Sequence, residues 1–183
     1  MNWFNTIAIL AVAYLVVFLE ATFNELRHFI GVQVDLLPGL VVYTAIHGGI
    51  LTLTLLAVCG GLWFDSLSAN PMGLSTLPLF LIGLFIQHNR DAILREQPYA
   101  QMVLGLTASA LAPLFCLLIL VNTGARPLVG WFSLWQWLVM SLAGAAVTPA
   151  WFRLFDWLGR ILNYRPIPEA AFRQDRQIKR GRQ

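Results

Sequence analysis

Long apolar stretches separated by short polar connections constrain this chain more than any other feature. A helix needs about 20 apolar residues to cross the hydrocarbon core of a bilayer, and fewer where the bilayer is thin. Four stretches meet this requirement, at residues 3–19, 72–87, 99–121 and 131–150. Only 11% of the residues are charged, whereas about a quarter are charged in soluble domains. The sequence therefore predicts an all-α integral membrane protein, folded as a compact helical bundle.

Residues 36–64 form one further apolar segment, which leaves the number of helices open. The segment is too long for one upright span and barely long enough for two short ones. Its middle contains His47, Gly48 and Gly49, and paired glycines favour a tight turn. A bundle of six transmembrane helices, the second and third of them short, therefore competes with a bundle of five in which one long helix is tilted.

The distribution of charge predicts how the bundle is oriented. Residues from 151 onward hold eight of the twelve Lys and Arg residues, which is typical of a cytoplasmic segment. The connections 66–71 and 122–130 together contain one Lys or Arg, Arg126, and are therefore expected on the outer side of the membrane. The six-helix bundle places the acidic segment 20–37 outside and both termini in the cytoplasm, and we favour it for that reason.

The chain is predicted to comprise a polytopic transmembrane domain, residues 1–163, and a basic cytoplasmic tail, residues 164–183. The first span has no positively charged residues before it and is interpreted as retained, not as a cleaved signal. The tail has few hydrophobic residues, which predicts a disordered and solvated segment. Contact with anionic membrane lipids is the second interpretation. Nucleic-acid binding is not predicted, because no folded or aromatic module accompanies the charge.

The residue types that catalysis requires are not grouped in the sequence. His28, His47 and His88 fall in different connections, and no metalloprotease or serine-hydrolase motif includes them. Cys59 and Cys116 lie inside apolar segments without a metal-binding spacing, and we interpret them as packed side chains. The sequence therefore predicts a protein that is not an enzyme and has no cofactor or metal site.

One carboxylate lies close to the end of an apolar stretch. In the sequence CGGLWFDSLSANPMGLSTLPLF, Asp65 precedes a turn that contains Pro71 and Gly73. A carboxylate in or near a span is costly and tends to face a polar partner. Ser66, Ser68 and the backbone of the turn are near enough to be that partner. We therefore interpret Asp65 as an acid at a helix end that fixes the turn.

This stretch resembles the signature of the rod shape-determining protein MreD family. In that family a glycine-containing helix ends in an aspartate, and a short polar turn leads to Pro-x-Gly-Leu at the next helix. The resemblance covers residues 38–86, while the rest of the chain is similar in hydropathy alone. The short connection between the second and third helices and the long basic tail depart from the familiar members. The matching positions are Pro38, Gly60, Gly61, Leu62, Asp65, Pro71, Gly73 and Leu74.

The resemblance implies a non-enzymatic scaffold of the cell-elongation complex (the elongasome) in the bacterial cytoplasmic (inner) membrane. Such a scaffold maintains cell shape. The partners it implies are an MreC-like bitopic protein and, through it, MreB filaments, a RodA-like glycosyltransferase and a class B penicillin-binding transpeptidase of peptidoglycan synthesis. The family is also similar in fold to the substrate-binding subunits of energy-coupling-factor transporters. An alternative function is therefore that of the substrate-binding membrane subunit of a vitamin transporter.

Two of the apolar stretches carry small residues at helical spacing, in GLTASALAP and SLAGAAVTP. Helices in lipid associate by close van der Waals contact, which small residues permit. These two faces are expected either to pack within the subunit or to receive the helix of a partner. Their residues are Gly105, Ala108, Ala112, Gly144, Ala145 and Thr148.

Overall fold

The computed structural model describes residues 3–22, 35–68, 71–90, 97–124 and 130–162. Within these residues the chain is all-helical, and four helices are long and apolar enough to cross a membrane, namely α1, α3, α5 and α6. The predicted tail, residues 164–183, lies outside the described residues. The six helices are α1 (Trp3–Thr22), α2 (Leu37–His47), α3 (Ile50–Leu67), α4 (Thr76–His88), α5 (Pro98–Asn122) and α6 (Trp131–Leu162).

The apolar segment 36–64 divides at the paired glycines. Helix α2 ends at His47 and α3 begins at Ile50, and Gly48 and Gly49 between them are both extended. The side chain of Leu37 lies beside Gly60, 3.4 Å from where a Cβ would stand, so α2 and α3 run antiparallel. The segment therefore forms two helices and not one long tilted helix. The number of membrane spans, which depends on the two shorter helices, stays a prediction.

Helix α2 is the centre of the bundle. All ten residues from Leu37 to Ile46 are buried, and α2 contacts each of the other five helices. Around it, contacts join α1 to α3, α3 to α4, α4 to α5 and α5 to α6. The sequence LPGLVVYTAI is apolar around almost its whole circumference, as expected of a helix with neighbours on all sides.

Inter-helix contacts fix the direction of each helix. Thr6 of α1 and Thr52 of α3 share a buried hydrogen bond of 2.9 Å between their hydroxyl oxygens, so both helices begin at the same end. Gly61, near the end of α3, lies against Thr76 at the start of α4. Helices α5 and α6 are antiparallel, because Gly105 lies against Thr148 while Gly144 lies against Ser109. Consecutive helices thus alternate in direction, as a bundle of six spans would require.

The charged residues within the described ranges divide between the two ends of the bundle. One end, here called the acidic end, carries Glu20, Asp35 and Asp65. The other, the basic end, carries every Lys or Arg that the structure describes, together with Asp156. These cations are Arg90, Arg153 and Arg160. The division agrees with the predicted placement of the basic end in the cytoplasm.

Helix α6 is longer than the predicted span 131–150. It continues without a break through Pro149 to Leu162. Beyond Pro149 one face packs on α2: the ring of Phe155 stacks on that of Tyr43 with centroids 4.4 Å apart, and Phe152 contacts Tyr43 edge-on at 5.2 Å. The helical spacing of Arg153, Asp156 and Arg160 in the sequence predicts one polar face for this segment, and all three residues are exposed. The two faces predicted for this segment are therefore present.

The predicted orientation can be measured by labelling single cysteines at positions 2, 30 and 180. The two native cysteines are first replaced by alanine. In intact cells, a membrane-impermeant maleimide should label only position 30, because both termini are expected in the cytoplasm. Labelling of position 2 from outside would contradict the six-span arrangement.

Candidate functional site

Asp65 lies in the last turn of α3 and is only 1% exposed. Its Oδ1 accepts a hydrogen bond of 2.6 Å from the Ser75 hydroxyl, and its Oδ2 accepts one of 3.0 Å from the Ser75 amide. The sequence indicates Ser66, Ser68 and the backbone of the turn as candidate partners, whereas the partner is Ser75, which comes shortly after the turn. Ser66 and Ser68 do not bind the carboxylate. Their hydroxyls donate to the carbonyl oxygens of Trp63 and Asp65. Asp65 therefore holds the residue that precedes α4, across the turn.

The turn after α3 depends on one glycine. The Leu74 amide donates a hydrogen bond of 3.2 Å to the Pro71 carbonyl oxygen, and Gly73 at the third position of this turn has a φ of +88°. A positive φ at that position is typical of a type II turn and favours glycine. Gly73 thereby lets the chain reverse within a few residues and brings Ser75 back to Asp65.

Gly61 permits a close contact between α3 and α4. A Cβ on Gly61 would lie 2.7 Å from the Thr76 Cα and 2.8 Å from the Thr76 amide nitrogen. The backbones of the two helices therefore touch where α4 begins. Only a residue without a side chain allows this distance.

The other positions of the family signature occupy three different environments. Pro38 is buried in the first turn of α2, where its missing N–H is not needed. Gly60 lies about two turns before the end of α3, against Leu37. Leu62 is 41% exposed and faces outward. The structure therefore brings Gly61, Asp65, Gly73 and Leu74 together at the start of α4 and leaves Leu62 apart.

Two further carboxylates hold the start of α2. Glu20, from α1, accepts a hydrogen bond of 2.7 Å from the Leu36 amide through Oε1. Asp35 accepts one of 2.9 Å from the Leu37 amide through Oδ1. Sequence reasoning assigned no role to either acid. Asp35, two residues before the amide that it binds, has the spacing of a local helix cap, but no local pattern indicates Glu20.

The carboxylates of the acidic end interact electrostatically. Burial raises the pKa of Asp35 to about 6, the Leu37 amide partly offsets this rise, and the charge of Asp65 adds to it. Asp35 and Asp65 are thus near enough to affect each other, although they belong to different helices. The three acids converge on one region at the starts of α2 and α4.

The lengths of α2 and α4 explain why acids are needed there. With 11 and 13 residues, these helices are about 16 and 20 Å long, whereas the hydrocarbon core is about 30 Å thick. Amides at a helix start have no partner within the helix, and water in a bilayer is scarce, so the protein itself must supply acceptors. Carboxylates suit the positive end of a helix. The acidic end is therefore a set of carboxylate caps for the two short helices.

Most of the carboxylate oxygens at the acidic end already accept hydrogen bonds. Among its carboxylate oxygens, Glu20 Oε2 is buried without a hydrogen-bond partner. In the described part of the chain, no three His, Cys, Asp or Glu residues are placed to hold a metal ion. The hydrogen bonds that these carboxylates accept position the starts of α2 and α4.

The small-residue faces of α5 and α6 pack against each other. A Cβ on Gly105 would lie 2.5 Å from the Gly144 carbonyl oxygen, and Ala108, Ala112 and Thr148 are buried. Ala145, beside them, is half-buried. In the structure these two faces pack against each other within the subunit, which is one of the two expectations for them. A partner helix would have to contact other surfaces.

No family model, no curated protein and no solved structure matches this chain. The resemblance to the MreD family therefore rests on the signature residues of the sequence alone.

Proposed function

We propose that this chain is a non-enzymatic scaffold of the bacterial cell-elongation complex in the inner membrane. In this role it would link an MreC-like bitopic protein and MreB filaments to a RodA-like glycosyltransferase and a class B penicillin-binding transpeptidase. The observation that carries the proposal is that four of the signature residues, Gly61, Asp65, Gly73 and Leu74, meet in one structural unit. Gly61, Asp65 and Gly73 each have a geometric task at the start of α4.

This unit supports a scaffold because its residues serve packing and hydrogen bonding. Asp65 is buried and both of its oxygens are engaged by Ser75. Gly61 allows two backbones to touch, and Gly73 allows a turn. Residues with these structural roles fit a protein that presents a rigid surface to its partners in the membrane and catalyses no reaction.

The location of partner contacts follows from the packing. The small-residue faces of α5 and α6 are occupied within the subunit, so a partner helix would dock on a lipid-exposed face. Helix α1 offers one, with Ile7, Leu15 and Phe18 at least half exposed. Association there would depend on van der Waals complementarity, since lipid provides no hydrophobic drive.

Deleting the gene in a rod-shaped host tests the proposal. Cells without the protein should become round, and fluorescent D-amino acids should be incorporated over the whole surface instead of along the side wall. Expression of the wild-type chain should restore both. Gently solubilised membranes should also yield the bitopic protein and the two synthases in a pulldown.

The same deletion distinguishes the transporter alternative. A vitamin-uptake subunit predicts normal cell shape, growth that requires the added vitamin, and a small molecule retained by the purified protein. A mutant of normal shape with that requirement would refute the scaffold function and support the transporter.

A further inference from the structure

The end of α6 extends beyond the rest of the bundle at the basic end. Phe152 contacts the rings of both Tyr43 and His47 in the last turn of α2. Helix α6 then continues to Leu162, which is about 15 Å further along its axis. Its last turns are therefore in position to contact the membrane surface beside the protein.

Three residues form a stripe on the outward face of this segment, here called the outer stripe of α6. Phe152 and Phe155 are buried against α2, whereas Arg153, Trp157 and Arg160 are exposed. At about 100° per residue, these three lie within about 60° of one another around the helix axis, and the two arginines are about 10 Å apart along it.

The outer stripe and its surroundings carry more positive than negative charge. No ion pair in the described part of the chain engages Arg153 or Arg160. The exposed Asp156 lies within about 60° of both arginines around the helix axis, so this face keeps a net charge of +1. Two guanidinium groups therefore face outward, where an anion can approach them.

Apolar side chains flank the outer stripe on one side. Leu154 is 39% exposed and Ile161 is 53% exposed. Arginines keep their charged groups in water while their stems cover apolar surface, and tryptophan is enriched at the level of lipid headgroups. Cations, an exposed Trp and an apolar flank on one helix face are the chemistry of a membrane interface.

We propose that the outer stripe of α6 binds the headgroup of an anionic phospholipid in the leaflet at the basic end. Both guanidinium groups donate hydrogen bonds to phosphate oxygens, which they match as planar forks. Trp157 lies at headgroup level between them, and Leu154 and Ile161 contact the acyl chains. The site is independent of the proposed scaffold function, because it depends only on this helix and on the lipid.

The binding is measured on the full chain by native mass spectrometry after release from nanodiscs. The nanodiscs contain phosphatidylcholine with about one third phosphatidylglycerol, an anionic lipid of the kind that attracts basic residues. The wild-type protein should retain phosphatidylglycerol in preference to phosphatidylcholine. Arg153→Gln should weaken this binding about fivefold, and the pair Arg153→Gln/Arg160→Gln about thirtyfold, given the attraction of each basic residue to an anionic surface.

The matched control is the pair Arg173→Gln/Arg176→Gln, which removes the same charge from the tail. It should retain most of the phosphatidylglycerol. Undiminished retention by the α6 pair overturns the proposal. An equal loss in the tail pair also overturns it, because the attraction would then follow net charge and not the outer stripe.

Discussion

Replacing Gly61 with alanine should leave little folded protein in the membrane. The new Cβ would stand 2.7 Å from the Thr76 Cα and 2.8 Å from its amide nitrogen, and these backbone atoms cannot rotate away as a side chain can. The ends of α3 and α4 must therefore separate, which also pulls Ser75 from Asp65. Overpacking of this kind costs about 1–3 kcal/mol or more. Immunoblots of membranes and the monodisperse fraction in size-exclusion chromatography measure the loss.

Gly159→Ala in α6 is the matched control for this substitution. A Cβ at Gly159 would meet nothing within 4 Å, and alanine favours a helix by about 0.5–1 kcal/mol over glycine. The control protein should therefore be at least as abundant as wild type. Equal behaviour of the two alanine variants would mean that α3 and α4 do not make the close contact described.

Removing the Asp65 side chain should have the second largest effect. In Asp65→Ala, the Ser75 amide and hydroxyl lose their acceptors in a buried site, and each unsatisfied group costs about 1–3 kcal/mol. Asp65→Asn retains one oxygen acceptor and should lose less. We expect the thermal midpoint and the monodisperse yield to fall in the order wild type, Asn, Ala.

Asp156→Ala provides the comparison, because Asp156 is an exposed aspartate at the other end of the bundle. It should change the yield little. Two results would count against a structural role for Asp65. One is an Asp65→Ala protein as stable as Asp156→Ala, and the other is an abundant Asp65→Asn protein that fails to restore cell shape.

Local sequence patterns predicted the helices well. The apolar stretches match α1, α5 and the first part of α6 to within a few residues, and α6 continues beyond its predicted end. The stretch 72–87 is predicted to be long enough to cross the membrane, but its helix, α4, has only 13 residues, because the turn at Gly73 takes up the start of the stretch. The glycine pair at 48 and 49 ends one helix and precedes the next, and Gly48 is required because a Cβ there would lie 2.6 Å from the Thr44 carbonyl oxygen. The two faces of 151–162 followed from helical periodicity. In each case the pattern that predicts the structure lies within a few neighbouring residues.

The partners of the polar residues could not be predicted in the same way. Asp65 binds Ser75, ten residues away, and Glu20 binds the Leu36 amide, sixteen residues away. Such pairs depend on how the helices meet, and Ser66 and Ser68 were nearer in sequence. The small residues on α5 and α6 indicated close packing, but nothing in either stretch showed that the other stretch was its partner.

The shortness of α4 has a consequence for the surrounding bilayer. Leu77, Leu81 and Phe85 on this 13-residue helix are exposed, so in the predicted six-span arrangement acyl chains lie against an apolar surface only about 20 Å long. Beside α5, with 25 residues, the apolar surface is about 38 Å long. Lipid must therefore compress on one side of the molecule and stretch, or the protein must tilt, on the other. The protein is thus expected to deform the membrane unevenly and to favour neighbours whose spans relieve that mismatch.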